Sequence, residues 1–245
     1  MEIWGKTDCG KVRKENQDVF MTLYDEDKNV AVLVVCDGMG GARAGNVASL
    51  LAAESFMHYM SECLKNTDVI DQMADNLSDA VVLANNIVYE TSLRDDDCAG
   101  MGTTLTAAVL TTKGVIIANV GDSRAYHIKS SGIKQITKDH SVVEDMITRG
   151  DLTRAEARGH PNKHLITRAL GTSGEEKPDL FFIDLEQGDH LLLCTDGLSS
   201  VVMDSDILLQ TQKASGVREC CEKLIEIALL HGAPDNVTAV ILKKP

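Results

Sequence analysis

Two distant segments of the chain share one pattern, an unbroken apolar stretch that runs directly into Asp-Gly. Residues 32–38 read VLVVCDG and residues 191–197 read LLLCTDG. A strand that is apolar on both faces is buried between two layers, so each segment should deliver a carboxylate, from Asp37 or Asp196, to the end of a buried strand. The pattern therefore requires a layered fold, and the glycine lets a backbone carbonyl approach a ligand.

An Asp-Gly pair also closes ordinary β-hairpins, and that interpretation is favoured for any single isolated pair. After Asp37 the chain continues as MGGARAG at 39–45 and enters a predicted helix, so no hairpin partner follows. The hairpin interpretation is therefore weak for Asp37. It stays open for Asp196.

The predicted strands and helices occur in separate groups along the chain. Strands are predicted where β-branched and apolar residues cluster between turn signals, and helices where apolar residues recur at helical spacing. Separate groups, in place of strict alternation, favour antiparallel sheet with helices layered outside, an α+β fold. The predicted strands are 19–23, 30–36, 103–111, 115–120, 124–128, 133–137, 180–184, 190–194 and 237–243, and the predicted helices are 45–64, 69–93, 204–212 and 217–230.

The segment 141–169 differs in character from the rest of the chain. It contains two predicted capping boxes, in which a Ser or Thr side chain and a Glu three residues later satisfy each other's backbone donors. These are Ser141 with Glu144 and Thr153 with Glu156, around short helices and a Gly-His-Pro break.

The chain is acidic, with 37 Asp and Glu against 24 Lys and Arg and a formal net charge of −13. Such a surface repels polyanions, which argues against nucleic acid and anionic membranes as partners. An acidic surplus most often serves solubility, and a smaller weight goes to aspartates that converge on cations. The length of 245 residues, with four prolines and no linker-like stretch, predicts a single domain over residues 1–245.

Seven cysteines occur without any short metal-type spacing. Residues 1–18 lack the apolar stretch of a signal peptide. Together these features predict free, structural thiols and a reducing, cytoplasmic location.

Three more aspartates lie at predicted turns or strand ends. Asp122 lies in a Gly-Asp-Ser-Arg turn between two predicted strands, and Asp235 precedes the final strand. Asp18 ends the charged run 13–18 directly before the first predicted strand. Taken singly, each is more often part of an ordinary turn or of a solvated charge run.

As a set, these motifs resemble the metal-dependent protein phosphatase family, also called the protein phosphatase 2C family. Their order and rough spacing follow the family pattern, and the resemblance covers essentially the whole chain. The motifs are RxxNQD at 13–18, DGMGG at 37–41, GMGTT at 100–104, GDSR at 121–124, DHS at 139–141, TRALG at 167–171, TDGL at 195–198 and DNVT at 235–238.

The resemblance implies a four-layer α-β-β-α sandwich of two antiparallel sheets flanked by helices. It implies hydrolysis of phosphoserine and phosphothreonine in proteins by a hydroxide that bridges two Mn²⁺ or Mg²⁺ ions. By likeness, Asp37 bridges the two ions and Gly38 helps to hold the second through its carbonyl. Asp196 and Asp235 hold the first ion.

Further roles follow from the same resemblance. Asp18 matches a position that contacts metal-bound water, and Asp122 matches a ligand of a third, weaker ion in bacterial members. Arg13 matches the arginine that binds the substrate phosphate. The segment 141–169 resembles the family's flap beside the active site, and we expect His160 in that segment to contact the substrate peptide.

Elementary electrostatics supports an ion site of this kind. Two carboxylates about 4 Å apart repel by roughly 4 kcal/mol at an effective dielectric constant near 20, so several of them in one cleft require protons or cations. Oxygen ligands favour hard ions such as Mg²⁺ and Mn²⁺ over zinc. Two such ions about 3.5–4 Å apart can generate hydroxide near neutral pH.

Three positions depart from the pattern of the animal members. Met39 stands where they carry a His that is a candidate general acid, so the leaving group must be protonated by water or by another group. Gln17 replaces an acidic ligand of the second ion, and Ser200 replaces an acidic residue near the third. For His140 and His164 we favour hydrogen-bonding roles in the core or at the surface.

Two other functions are open. A binding module with a decayed site should have lost at least one of Arg13, Asp37, Asp196 and Asp235, and the chain retains all four. A metal phosphatase for small phosphate esters would need the same metal site. For a protein phosphatase, the expected partners are phosphoproteins, including Ser/Thr kinases or their substrates, and the expected state is a monomer.

Overall fold

The strands of the protein form two antiparallel sheets. The structure is a computed structural model that describes residues 1–65 and 72–245, with the side chains of residues 41–43 left out. The strands are β1 (Glu2–Asp8), β2 (Asp18–Asp25), β3 (Val30–Met39), β4 (Gly102–Thr103), β5 (Leu105–Thr111), β6 (Gly114–Val120), β7 (Arg124–Lys129), β8 (Gly132–Gln135), β9 (Asp179–Ile183), β10 (His190–Cys194) and β11 (Val237–Lys243).

One sheet has the order β1-β11-β10-β7-β8, and the other has the order β2-β3-β5-β6-β9, with β4 paired to β3. Helices cover the outer faces of both sheets. On one side these are α1 (Gly41–Lys65) and α2 (Met73–Arg94), and on the other they are α6 (Asp204–Lys213) and α7 (Val217–Leu230). The short helices α3 (Val142–Arg149) and α4 (Arg154–Ala157) lie in the segment 141–169, and α5 (Asp196–Ser199) follows β10.

The two Asp-Gly strands lie inside these layers, and this explains why they are apolar on both faces. In β3, Val32 and Val34 pack towards α1 and α2. Leu33 and its neighbours on the opposite face pack into the core between the two sheets. In β10, Leu192 faces the helices α6 and α7, and Leu191 faces the core between the sheets. The predicted four-layer α-β-β-α sandwich is confirmed.

Several predicted elements differ in their bounds. Strand β1 was not predicted, because its sequence EIWGKTD mixes polar and apolar residues and its burial depends on pairing with β11. Helix α1 begins at Gly41, four residues before the predicted start at 45. The predicted start of the second helix, Val69, lies outside the described residues. The predicted strand 103–111 is divided at Thr104 into β4 and β5.

Of the two predicted capping boxes, one is complete. The Thr153 hydroxyl accepts from the backbone N–H of Glu156, and the Glu156 carboxylate accepts from that of Thr153. At Ser141 only half is present, because the Glu144 carboxylate pairs with Arg154 instead. Within the described residues, no helix is apolar over a length that would cross a lipid bilayer.

Candidate metal centre

The pairing of β2 with β3 places Asp18 directly opposite Asp37. Both carboxylates lie at the same end of the sandwich, where β3 leaves the sheet towards α1. Burial raises the pKa of Asp37 well above its ordinary value, and the nearby charges of Asp18, Asp196, Asp122 and Asp235 raise it further. The negative charges of four other aspartates therefore all act on the Asp37 carboxylate.

Asp18 is held by two threonines from the other sheet. Its Oδ2 accepts hydrogen bonds from the Thr195 hydroxyl at 2.8 Å and from the Thr238 hydroxyl at 2.7 Å. Among the described residues, its Oδ1 is the one buried side-chain oxygen without a hydrogen-bond partner. Burial raises the pKa of Asp18 to about 7, against the opposing effect of the two threonines. Since an unpaired buried carboxylate oxygen is costly, this atom fits a metal ion or its bound water.

Asp122 belongs to the turn between β6 and β7. Gly121 adopts φ +108°, and a Cβ there would lie 2.5 Å from Cγ2 of Thr104, so the turn requires glycine. The Thr104 hydroxyl accepts from the Asp37 backbone N–H at 3.0 Å and lies 2.8 Å from the Ser123 hydroxyl. The break between β4 and β5 at Thr104 thus ties the Asp122 turn to the end of β3.

Asp196 opens the short helix α5 directly after β10. The hairpin interpretation of this second Asp-Gly pair is therefore wrong. A Cβ on Gly197 would lie 1.8 Å from the carbonyl oxygen of Asn236, so only glycine permits this approach of the two backbones. The approach places Asp196 beside the loop that carries Asp235. Asp196 also acts on Asp122, because burial and the charge of Asp196 both raise the pKa of Asp122.

Asn236 fastens the N-terminal loop to the centre. Its side-chain amide donates to the carbonyls of Cys9 and Glu15, both at 2.9 Å, and its Oδ1 accepts from the Gln17 backbone N–H at 2.8 Å. The Gln17 carbonyl in turn accepts from the Gly38 N–H at 3.1 Å. These bonds place the loop that carries Arg13 against the Asp-Gly end of β3.

Two basic side chains face the aspartates. A guanidinium nitrogen of Arg13 lies 2.7 Å from Oδ2 of Asp235, and the pKa of Arg13 is raised first by this hydrogen bond and also by the charges of Asp37 and Asp196. Nδ1 of His164 lies 3.7 Å from Oδ2 of Asp196, and that contact raises the pKa of His164.

The aspartates lie near one another, and two of them contact basic side chains. In the described ranges, 1–65 and 72–245, no three His, Cys, Asp or Glu side chains surround a single point as metal ligands. Asp235 is turned towards Arg13, and Asp196 is close to His164. The structure shows several mutually repelling aspartates, whose oxygen donors are of the type that Mg²⁺ and Mn²⁺ prefer.

A cavity of about 180 Å³ extends from Asp122 and Asp196 beneath the segment 141–169. Arg158, Lys163 and His164 of that segment line it, as does Ser200 at the end of α5. His160 is not among the lining residues, and its Nδ1 accepts from the Asn162 backbone N–H at 3.1 Å. From this segment it is therefore His164, not His160, that approaches the aspartates.

Roles were not predicted from the sequence for four polar residues, Thr104, Thr195, Asn236 and Thr238. The pattern that could have indicated them is a polar residue inside an otherwise apolar buried strand or beside a motif aspartate. Such a residue must find a buried partner, because an unpaired hydroxyl or amide in the core is costly.

The chain is similar over most of its length to a known protein family. A sequence model of the family described as Protein phosphatase 2C matches residues 8–227. This chain belongs to the protein phosphatase 2C family. A serine/threonine phosphatase, stp, of Listeria monocytogenes serotype 4b (strain F2365) is 33% identical over 242 residues, which cover 98% of this chain and 94% of the relative.

Solved structures of the protein phosphatase 2C type superpose closely. The serine/threonine phosphatase Stp1 of Staphylococcus aureus gives a TM-score of 0.91 at 36% identity, over 100% of this chain and 95% of that one. The catalytic domain of the phosphatase PstP, in complex with 2 manganese ions, gives 0.84 at 36% identity, over 98% and 96% of the two chains. The predicted enzyme class, a metal-dependent serine/threonine protein phosphatase, is confirmed.

Proposed function

We propose that this protein phosphatase 2C member hydrolyses phosphoserine and phosphothreonine in proteins with two Mn²⁺ or Mg²⁺ ions held at the end of β3. The observation that carries the proposal is the half-buried Asp37 carboxylate, whose pKa is raised by four other aspartates around it. Asp37 would bridge the two ions. Asp196 and Asp235 would hold the first, and the Gly38 carbonyl would help to hold the second.

When bound, two divalent cations supply Lewis acidity and an activated water. The residues of the chain would do the rest. The unpaired Oδ1 of Asp18 would accept a hydrogen bond from water at the centre and so orient it. Arg13 would release Asp235 once cations neutralise that carboxylate, and its planar guanidinium would then bind two oxygens of the substrate phosphate. The Met39 side chain has no ionisable proton to donate, so water would protonate the leaving alkoxide.

A third, weaker ion at Asp122 belongs to the same proposal. Asp122 is buried, and burial and Asp196 raise its pKa, so a cation shared with Asp196 would relieve that repulsion. The cavity that both carboxylates line provides space for a hydrated ion.

The segment 141–169 would act as a flap over this cavity within a single catalytic domain, residues 1–245. Its ends are joined by the isolated bridge between Ser141 and Ile166. The flap would contact the substrate peptide, with His160 contributing from its half-buried position. His160→Ala should then lower the turnover of a phosphothreonine peptide and leave that of an aryl phosphate unchanged. Unchanged turnover of both substrates would remove His160 from the proposal.

The same proposal includes the setting of the enzyme. The physiological partners would be phosphoproteins, including Ser/Thr kinases or their substrates, and the chain would act as a monomer in the cytoplasm. The seven free cysteines support a reducing compartment. The relatives named above favour protein substrates over small phosphate esters, and turnover of a phosphothreonine peptide against sugar phosphates would separate the two.

The decisive experiment measures metal binding and hydrolysis together. After EDTA stripping, the wild-type protein should regain turnover of a phosphothreonine peptide only on addition of Mn²⁺. Asp37→Asn should lose nearly all of that turnover, and calorimetry should show weakened Mn²⁺ binding. The exposed Asp184, at the far end of β9, provides the matched control Asp184→Asn, which should behave as wild type. Full Mn²⁺ binding by Asp37→Asn would contradict the proposed site.

A further inference from the structure

His140 joins the neck of the segment 141–169 to the turn that carries Asp122. Its backbone carbonyl accepts from the Thr167 N–H at 2.8 Å, and its own N–H donates to the Gly121 carbonyl at 2.9 Å. Beside it, the N–H of Val142 donates to the Leu165 carbonyl at 2.9 Å. Both ends of the segment therefore meet at His140, next to the candidate metal centre.

The imidazole of His140 makes a second connection to the same turn. The side chain is buried, and its Nδ1 accepts from the Gly121 backbone N–H at 3.0 Å. Because Nδ1 is an acceptor, the ring proton lies on Nε2, which is 3.2 Å from Oδ2 of Asp179. Nε2 then cannot also accept from Arg168, whose guanidinium donates to Oδ1 of Asp179 at 2.8 Å. The Gly121 N–H therefore sets the tautomer, and Asp179 orients the ring from the side away from the metal centre.

Gly121 consequently has both its backbone donor and its backbone acceptor bonded to one residue. A buried N–H must be paired, and no side chain on Gly121 can restrain the peptide itself. The next residue is Asp122, whose direction depends on the orientation of the peptide that joins it to Gly121. The imidazole holds the Val120–Gly121 peptide, whereas the backbone N–H of His140 holds the carbonyl of the Gly121–Asp122 peptide. Loss of the imidazole acceptor would free the first of these peptides, and rotation about Gly121, which adopts φ +108°, would then redirect Asp122.

We propose that His140 is a positioning residue, which holds the Gly121–Asp122 turn so that the Asp122 carboxylate faces the metal centre and which ties that turn to the neck of the flap. The expected effect on metal binding rests on the proposed role of Asp122 as a ligand of the third ion. The positioning itself does not, since it concerns hydrogen bonds between protein atoms alone.

The test uses three readouts on the full chain: exchange of the Gly121 amide hydrogen by NMR in EDTA, calorimetric titration with Mn²⁺, and the thermal midpoint. His140→Ala removes the acceptor. In His140→Asn the amide oxygen takes the place of Nδ1, whereas in His140→Gln the amide lies near the place of Nε2. His127→Ala is the matched control, because Nε2 of His127, in β7, lies 2.7 Å from Oδ2 of Asp189, directly before β10 and away from the metal centre.

We expect His140→Ala to speed Gly121 exchange by about tenfold, as loss of one hydrogen bond predicts. It should weaken Mn²⁺ binding at the Asp122 ion by roughly 10- to 100-fold, as for other outer-shell partners of metal ligands. His140→Asn should restore both readouts, and His140→Gln should not. His127→Ala should lower the thermal midpoint without changing either readout. If His140→Ala does not fold, the contrast between the Asn and Gln variants decides.

Two outcomes would overturn the inference. One is Gly121 exchange that does not change in His140→Ala, or in His140→Gln if the alanine variant does not fold. The other is an Asn variant as defective as the Gln variant. Asp122→Asn separates this inference from the proposed function. If that variant binds Mn²⁺ as wild type does while Gly121 exchange still responds to His140, the third-ion role of Asp122 fails and the positioning by His140 stands.

Discussion

Arg13 and Asp235 form an ion pair. This pair would have to break for a metal ion to bind Asp235 and for a phosphate to bind Arg13. The Arg13 side chain is 54% exposed, and exposed ion pairs contribute only about 0–1 kcal/mol. Arg13 can therefore leave Asp235 at little cost when cations bind there. Its guanidinium would then be free for a phosphate at the mouth of the centre.

We expect Arg13→Gln to lower kcat/KM for a phosphothreonine peptide by roughly 100-fold, the usual effect of removing one donor that stabilises transition-state charge. Arg13→Lys should recover only part of this loss, because an ammonium group keeps the charge but lacks the planar fork. Calorimetry should show that Mn²⁺ affinity is not weakened in either variant, since a competing cation has been removed or made more mobile. Wild-type kcat/KM in Arg13→Gln would exclude Arg13 from phosphate binding.

At the end of β3, the backbone of Gly38 packs directly against the backbones of two other segments. A Cβ on Gly38 would lie 2.0 Å from the Gly45 carbonyl oxygen and 2.8 Å from that of Gln17. Both neighbours are backbone atoms, so relief would require α1 or the N-terminal loop to move. The close approach of three backbone segments therefore depends on the absence of a side chain at Gly38.

Gly38→Ala should destabilise the fold by roughly 1–3 kcal/mol, the typical cost of overpacking, and should weaken Mn²⁺ binding. Thermal denaturation in EDTA and calorimetric titration measure the two effects. Gly132→Ala is the control, because no atom lies within 4 Å of a Cβ built at Gly132. A Gly38→Ala protein that is destabilised yet binds Mn²⁺ as tightly as wild type would show that metal binding does not depend on the close packing at Gly38.

The stability of the whole molecule should depend on pH and metal together. Asp18 has its pKa raised from 3.8 to about 7, which corresponds to on the order of 4 kcal/mol at about 1.4 kcal/mol per pH unit. The folded state binds more protons than the unfolded chain in this window, so the free energy of unfolding falls as pH rises through it. Asp37 and Asp122 act in the same direction, because their pKa values are also raised.

In EDTA we therefore expect a lower thermal midpoint at pH 8 than at pH 5.5. Excess Mn²⁺ should raise the midpoint more at pH 8, because the ions bind the deprotonated carboxylates. Asp18→Asn should flatten the pH dependence in EDTA. A midpoint that rises with pH in EDTA would contradict the raised pKa values.

Local patterns were sufficient for the layers and for the two carboxylates, Asp37 and Asp196, that end the buried strands. The apolar runs before Asp37 and Asp196 predicted strands buried on both faces, and their side chains do divide between two cores. Hydrophobic periodicity is a property of a few consecutive residues, so it can be read without knowing what packs against it. Hydrophobic periodicity did not predict strand β1, because β1 is held in the sheet by its pairing with β11.

The finer geometry of the centre depended on contacts between residues far apart in the chain. The Thr238 hydroxyl reaches Asp18 across 220 residues, and no pattern within either segment indicates that bond. Similarly, His160 and His164 look alike in the sequence, but only His164 lies near Asp196. Apolar burial is set mainly by local composition, whereas a hydrogen bond needs two specific atoms within about 3 Å. Only the packed sheets and loops could decide which atoms would meet.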